Sequence, residues 1–306
     1  MRVIQFSDIH ISAKVPWYLP GTLLSKQVTG LLNYSFRRKQ RFRYAIPIVQ
    51  QLVKRILNDP PDLVLFTGDA VVVGATPEFQ AAMELLKPLT DSAIPKIAVP
   101  GNHDFYRFEN AHVRQFETAF SKWFVGERVG EAIFPFAQYH QGIWFVAANS
   151  ARPNHLAWDS RGQFANSGRD LFPLSKLLTH ERKVLVTHYP AALADGTPEP
   201  YWRRLRPAPL VHQWIAENQV DMWVHGHQHR PFVRQPSEKL PFLQVCNGST
   251  TQEFLWAYHE YLFEEDRVLI NRYQWDVDNA DFHQSTSLNY DAPSPTTQNP
   301  IINKGA

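Results

Sequence analysis

Short apolar runs rich in β-branched residues recur along the chain, separated by longer stretches whose apolar positions repeat every three to four residues. The runs predict strands over 3–7, 63–67, 96–99, 143–148, 184–187, 222–225, 242–246, 258–263 and 268–275. The longer stretches predict helices over 45–57, 77–86, 110–123, 171–178 and 210–217. In the first helix Ile46, Ile48, Val49, Leu52, Val53 and Ile56 follow the 3.6-residue period, and Pro60-Pro61 stops the helix before the next strand. Strand and helix alternate in the first half of the chain, and strands prevail in the second. That order predicts mixed sheets flanked by helices. No repeat, heptad or mid-chain shift of composition divides the chain, so residues 1–280 read as one domain. From residue 281 the sequence turns polar, rich in Ser, Thr, Asn and Pro, and 281–306 reads as a flexible tail.

Polar residues fall at particular places in this pattern. Val3-Ile4-Gln5-Phe6-Ser7 leads into Asp8-Ile9-His10, and Leu63-Val64-Leu65-Phe66-Thr67 leads into Gly68-Asp69. Ile97-Ala98-Val99-Pro100 leads into Gly101-Asn102-His103-Asp104. The runs ending at Thr187 and His225 lead into His188 and into Gly226-His227-Gln228-His229. Five times an apolar strand releases a metal-ligand type at its C-terminal end, the edge where sites assemble in α/β sheets. Asp8 and His10, like His227 and His229, are two residues apart, which on extended backbone turns both side chains to one side. Gly68, Gly101 and Gly226 allow tight turns beside them. Carboxylates, an amide oxygen and imidazoles together suit Mn, Fe or Zn rather than Ca. Asp8, His10, Asp69, Asn102, His188, His227 and His229 are too many for one such ion. They suffice for two ions at ~3.5–4 Å, with one carboxylate bridging. Asp-x-His or Gly-Asp alone is common; the ordered set of five is what weighs.

The ordered set Asp-x-His, Gly-Asp, Gly-Asn-His-Asp, His and Gly-His-x-His resembles the calcineurin-like metallophosphoesterase family, over about residues 1–275. The resemblance implies an α/β fold, a four-layer α-β-β-α sandwich of two mixed β-sheets, metallo-dependent phosphatase-like, with a dinuclear site at the sheet edges. It implies Asp8, His10 and His229 for one metal, Asn102, His188 and His227 for the other, and Asp69 as the bridge. Ala70 departs from the larger apolar residue common after Gly-Asp; no ligand is missing. His103 resembles the family histidine that steadies the phosphoryl group and protonates the leaving oxygen. Asp104 reads either as the carboxylate orienting it or as a turn residue. His225 reads as structural. Two divalent ions, manganese first among those expected in vitro, would make water reactive toward phosphorus as a bridging hydroxide. No protein nucleophile is then required, and the lone Cys246 needs no role.

Composition narrows the setting. At 306 residues and 44% hydrophobic the chain is long enough for a large core, and a formal charge of +2 gives no global field favouring nucleic acid. One cysteine and an opening that runs straight into a strand read as a cytoplasmic protein without a leader. No run approaches a membrane span. Between His10 and the first helix lies an insertion, 11–44, in which Leu23, Leu24, Val28, Leu31, Leu32 and Ser35 follow helical spacing. Arg37-Arg38-Lys39-Gln40-Arg41-Phe42-Arg43 follows, five cations in seven residues, with Trp17, Tyr18, Tyr34 and Phe36 interleaved. Three readings stay open: a helix covering core, a lid aiming Arg37, Arg38 and Arg41 at an anionic substrate, or peripheral contact of 21–43 with the inner membrane surface. The expected substrate is a small phosphoester or pyrophosphate, lipid-linked in the third reading, and the expected activity is phosphodiesterase or pyrophosphatase. The bacterial branch with a Leu- and Arg-rich segment after the first motif suggests a UDP-2,3-diacylglucosamine-type pyrophosphatase as one alternative. A cyclic-nucleotide phosphodiesterase or phosphomonoesterase is another. A non-catalytic scaffold on the same fold should lack ligands or the general acid, and here all eight positions are filled.

Overall fold

The structure, a computed structural model, describes residues 1–13, 39–105, 114–154, 158–179 and 181–291. Two six-stranded sheets carry the architecture. The first has the order β12-β11-β10-β1-β2-β3, with β1 (Arg2–Phe6), β2 (Leu63–Phe66), β3 (Lys96–Ala98), β10 (Tyr258–Phe263), β11 (Arg267–Asp276) and β12 (Asp281–Asp291). Its β1-β2-β3 core is parallel and β10, β11 and β12 add antiparallel strands. The second has the order β4-β5-β6-β7-β9-β8, with β4 (Phe136–His140), β5 (Ile143–Ala147), β6 (Arg182–Val186), β7 (Met222–His225), β8 (Phe232–Arg234) and β9 (Leu243–Cys246). Here β5, β6, β7 and β9 run parallel, with an antiparallel strand at each edge.

The period-2 alternation of strand side chains sorts the core. From β5, β6 and β7, Phe145, Ala147, Val184, Val186, Met222 and Val224 join the main core with β1 and β2. Their neighbours Trp144, Val146, Leu185 and Trp223 face the other way, onto α4 (Pro209–Asn218) and the 3₁₀ segment Ala165–Lys176. Strands covered on both faces must be apolar throughout, which is why these runs were so readable. The first sheet is covered by α1 (Ala45–Asn58) and α2 (Thr76–Asp91). In α1 the buried stripe is Ala45, Ile48, Val49, Leu52, Val53 and Ile56; Ile46, one position off its centre, is half exposed. Gln5 crosses between the sheets: its amide donates to Thr67 Oγ1 at 3.0 Å and to the His225 carbonyl at 3.1 Å.

The boundary of the polar tail needs correcting. Residues 281–291 form β12, an edge strand paired antiparallel with β11 along its length, with one register shift at Arg272/Tyr273. Most of its side chains face solvent, so it lacks apolar alternation; the pairing comes from main-chain hydrogen bonds and from Phe282, buried against Tyr258 and Trp275. Asp281 anchors its start through Arg55 at 3.0 Å. Residues 292–306, the rest of the expected tail, lie outside the described residues, as do 14–38 of the insertion and 110–113 of the expected 110–123 helix. Of that helix, α3 (Gln115–Ala119) and a 3₁₀ turn, Ser121–Trp123, are described. No helix among the described residues is long and apolar enough to cross a membrane.

Candidate metal centre

The seven side chains singled out from strand ends converge where β1, β2, β3, β6 and β7 end. Asp8, His10, Asp69 and His229 bring one ligand atom each within 4.8 Å of one another. His10 Nε2 lies 3.0 Å from His229 Nε2, and His229 Nε2 lies 3.2 Å from Asp8 Oδ1. Beside them Asn102 Oδ1 is 2.9 Å from His227 Nδ1 and 3.3 Å from His188 Nε2. Asp69 joins the two groups: its Oδ2 is 3.8 Å from His10 Nε2 and 3.4 Å from His188 Nε2.

The local backbone is not the extended one that the two-residue spacings suggested. Asp8, His10, Asp69, His227 and His229 all have positive φ, between 44° and 68°. This left-handed conformation is costly for residues with a side chain, about 1–3 kcal/mol each, and it gathers at functional sites. It also separates each Asp-x-His or His-x-His pair differently. Asp8 and His10 serve one group, whereas His227 and His229 point to different groups. Main-chain hydrogen bonds hold the turns: Asp8 N–H to Gly68 O at 2.9 Å, His10 N–H to Asp69 O at 3.1 Å and Gly226 N–H to His188 O at 3.1 Å. A β-carbon on Gly101 would collide with the Asp69 carboxylate, and one on Gly226 with Ser7 and Asp8.

Three of the four candidate imidazoles are steered by their other nitrogen, as ligating histidines are. His188 Nδ1 bonds Thr67 O at 2.7 Å, His10 Nδ1 meets Val71 O at 3.3 Å and His229 Nδ1 bonds Gln252 Oε1. Asp104 sits at the turns, one of its two expected readings. Its carboxylate accepts the N–H groups of Asp69, Ala70 and Gly101 at 2.8–2.9 Å, clamping two ligand turns together. The His103 ring meets the carbonyl of Val72 through Nδ1, and the main-chain N–H of His103 donates to Asp69 Oδ1 at 2.8 Å. His225 lies below the centre, fully buried, within hydrogen-bond distance of Gln244. Burial holds its ring down to about 4, so it is neutral.

Charge at the centre favours cations. Burial opposes ionisation of Asp69, yet His188, His103 and His10 hold its carboxyl well below the ordinary range. Burial likewise opposes charge on His188, but Asp69 and Asp8 draw it up to about 9. The anionic core thus recruits a proton where a divalent ion would serve better. Asp8 Oδ1 is buried, makes no hydrogen bond and faces two imidazole nitrogens. A buried carboxylate oxygen without a donor is costly, and a cation shared with His10 and His229 satisfies it. The donor set fits such ions.

Two contributors were not legible in the sequence. Phe42 packs its ring 4.8 Å from His10, so the described end of the insertion arrives at the centre. Glu199, buried in the loop after β6, places Oε2 3.5 Å from His227 Nε2. Neither stands at a strand end or in a periodic pattern. Of the arginines expected to meet substrate, Arg37 and Arg38 lie outside the described residues. Arg41 is exposed, and its carbonyl accepts from Glu253 N–H at 2.7 Å.

A two-sheet α/β sandwich with paired ligand groups at its strand ends defines the class of dinuclear metallophosphoesterases. The chain matches the family described as calcineurin-like phosphoesterase over residues 1–231, and it belongs to that family. Its fold is similar to that of a dimetal phosphatase from Danio rerio, with a TM-score of 0.64 at 14% identity, covering 95% of this chain and 99% of that one. It is also similar to the purple acid phosphatase PPD1 from yellow lupin seeds, with a TM-score of 0.57 at 14% identity. That match covers 94% of this chain and 53% of the lupin chain. A comparison with curated protein sequences finds no match.

Proposed function

We propose that the protein hydrolyses phosphodiester or pyrophosphate bonds with two divalent cations, Mn, Fe or Zn. One would be held by Asp8, His10 and His229, the other by Asn102, His188 and His227, with Asp69 shared. The observation that carries this is the position of Asp69 Oδ2, within 3.8 Å of a nitrogen from each group. When bound, such a pair lowers the pKa of water and neutralises phosphate oxygens. The chain's own residues then do the rest. Asp104 and the left-handed turns keep the ligand set in register before substrate arrives, so that little reorganisation is needed. His103 stands beside the Asp69 carboxylate with Nδ1 committed to Val72 O, which directs proton donation to Nε2 and hence to the leaving oxygen. A diester or pyrophosphate, whose leaving oxygen gains from that proton, fits this arrangement. Hydrolysis of bis-p-nitrophenyl phosphate should vanish on chelation, return with Mn²⁺, and stay at background in Asp69→Asn. Wild-type rates in Asp69→Asn would refute the proposal.

A further inference from the structure

The loops after β5 and β6 leave the second sheet at the edge that carries His188, and they run together. Gly162 bridges to Leu205, Arg206 N–H donates to Gly162 O at 2.9 Å, and Ser160 N–H donates to Trp202 O at 2.8 Å. Tyr189 links this pair of loops to the metal centre. Its ring lies 4.2 Å from that of His227, its hydroxyl donates to Ser160 O, and a β-carbon on Gly162 would collide with it. The loops therefore stand one tyrosine ring from a candidate ligand.

Four arginines gather on them. Asp159 holds Arg161 at 2.8 Å and Arg152 at 3.2 Å. Among the described residues neither Arg204 nor Arg206 pairs with a carboxylate. Burial, and then the charge of Arg206, lower the Arg152 guanidinium from its ordinary value, which places these cations in mutual reach. Arg206 Nε is buried and makes no hydrogen bond. Arg161 and Arg204 lie over the Tyr201 ring at 4.7 and 5.0 Å, an arrangement that orients guanidinium groups without neutralising them. A cavity of about 480 Å³ opens between them, lined by Arg161, Arg204, Arg206, Tyr201, Gln163 and Ser167. A structural cluster would carry a carboxylate for each cation or spread its arginines into solvent. Here four guanidinium groups have the one paired carboxylate of Asp159 among them, three of them (Arg161, Arg204 and Arg206) line the cavity, and their planar forks suit phosphate oxygens.

We propose that this cavity is an anion subsite that takes a phosphate of the substrate other than the one being cleaved. The substrate is then a diphosphate or polyphosphate ester, not a simple diester. The place of the subsite in catalysis rests on the hydrolase reading above; binding of the anion does not.

Inorganic pyrophosphate titrated calorimetrically into the metal-free full chain tests the binding. Wild type should bind it, Arg204→Ala/Arg206→Ala should weaken it at least tenfold, and Arg204→Lys/Arg206→Lys, which keeps the charge but not the fork, should fall between. If the alanine pair fails to fold, the lysine pair decides, with weakening of at least threefold expected. With Mn²⁺ restored, the ratio of kcat/KM for a nucleoside diphosphosugar over bis-p-nitrophenyl phosphate should fall at least tenfold in the alanine pair. No pyrophosphate binding by wild type, or equal binding by the variants, overturns the proposal. If binding follows the arginines but no phosphoester is cleaved with any metal, the hydrolase reading falls and the anion subsite stands.

Discussion

The two halves of the centre are built from different charges. Asp8, His10 and His229 form a half with its own carboxylate, one oxygen of which has no hydrogen-bond donor. Asn102, His188 and His227 form a half with no carboxylate of its own. It borrows Asp69, and behind His227 it has Glu199. Burial penalises the Glu199 anion, but His227 and then Arg203 hold its carboxyl below the ordinary value. The second half therefore depends on residues outside its ligand set. Its surroundings differ as well: Phe42 covers the first half, whereas Tyr189 and the arginine loops flank the second. The contrast teaches that a ligand inventory understates a metal site, since the charge balance of one half is completed from a loop with no recognisable motif.

The contrast can be broken or sharpened by substitution. The largest effect is expected at His103, which belongs to neither half: His103→Gln should lower kcat about 10²–10⁴-fold. Both cations should remain, as counted by metal analysis of the dialysed protein; loss of one would assign His103 to a half. A smaller effect is expected from Glu199→Gln, which should weaken one cation of the two about 10–100-fold while sparing the other. Titration with Mn²⁺ followed by electron paramagnetic resonance would resolve the two affinities, and equal weakening of both would erase the distinction. The smallest effect separates the fold from the centre. Buried His259, on β10, is held down to about 3 by burial, below its unfolded value. The unfolded chain then binds the extra proton, so this histidine's contribution to stability is present at neutral pH and is lost as pH falls below the unfolded value. The cost is about 2 kcal/mol by pH 5. Urea unfolding of the metal-free protein at pH 7 and pH 5 should show that loss, reduced in His259→Gln; an unchanged difference would place the acid sensitivity elsewhere.

Most of the strand frame was legible because parallel strands buried on both faces must be apolar throughout, as in Leu63–Phe66 and Met222–His225. The candidate ligands were legible because each follows such a run. Three of the four edge strands were not. Phe232–Arg234 is short, and Asp281–Asp291 exposes most of its side chains, so neither carries an apolar pattern that distinguishes it from a loop. The roles of Asp104 and Glu199 were hidden for another reason. Asp104 clamps backbone that lies 34 and 35 residues away in the chain, and Glu199 meets a histidine 28 residues on; spacing says nothing of such encounters.

By itself the sequence determined where strands end and which ligand types stand there, because burial and residue chemistry act locally. The division of those residues between two groups, which the family resemblance implied, is realised only in the tertiary structure. That division depends on left-handed turns at Asp8, His10, Asp69, His227 and His229, which the surrounding hydrogen bonds and packing must hold against their intrinsic cost. Tertiary structure also decided that three arginines from two loops face one cavity, since only the pairing of those loops brings the charges together.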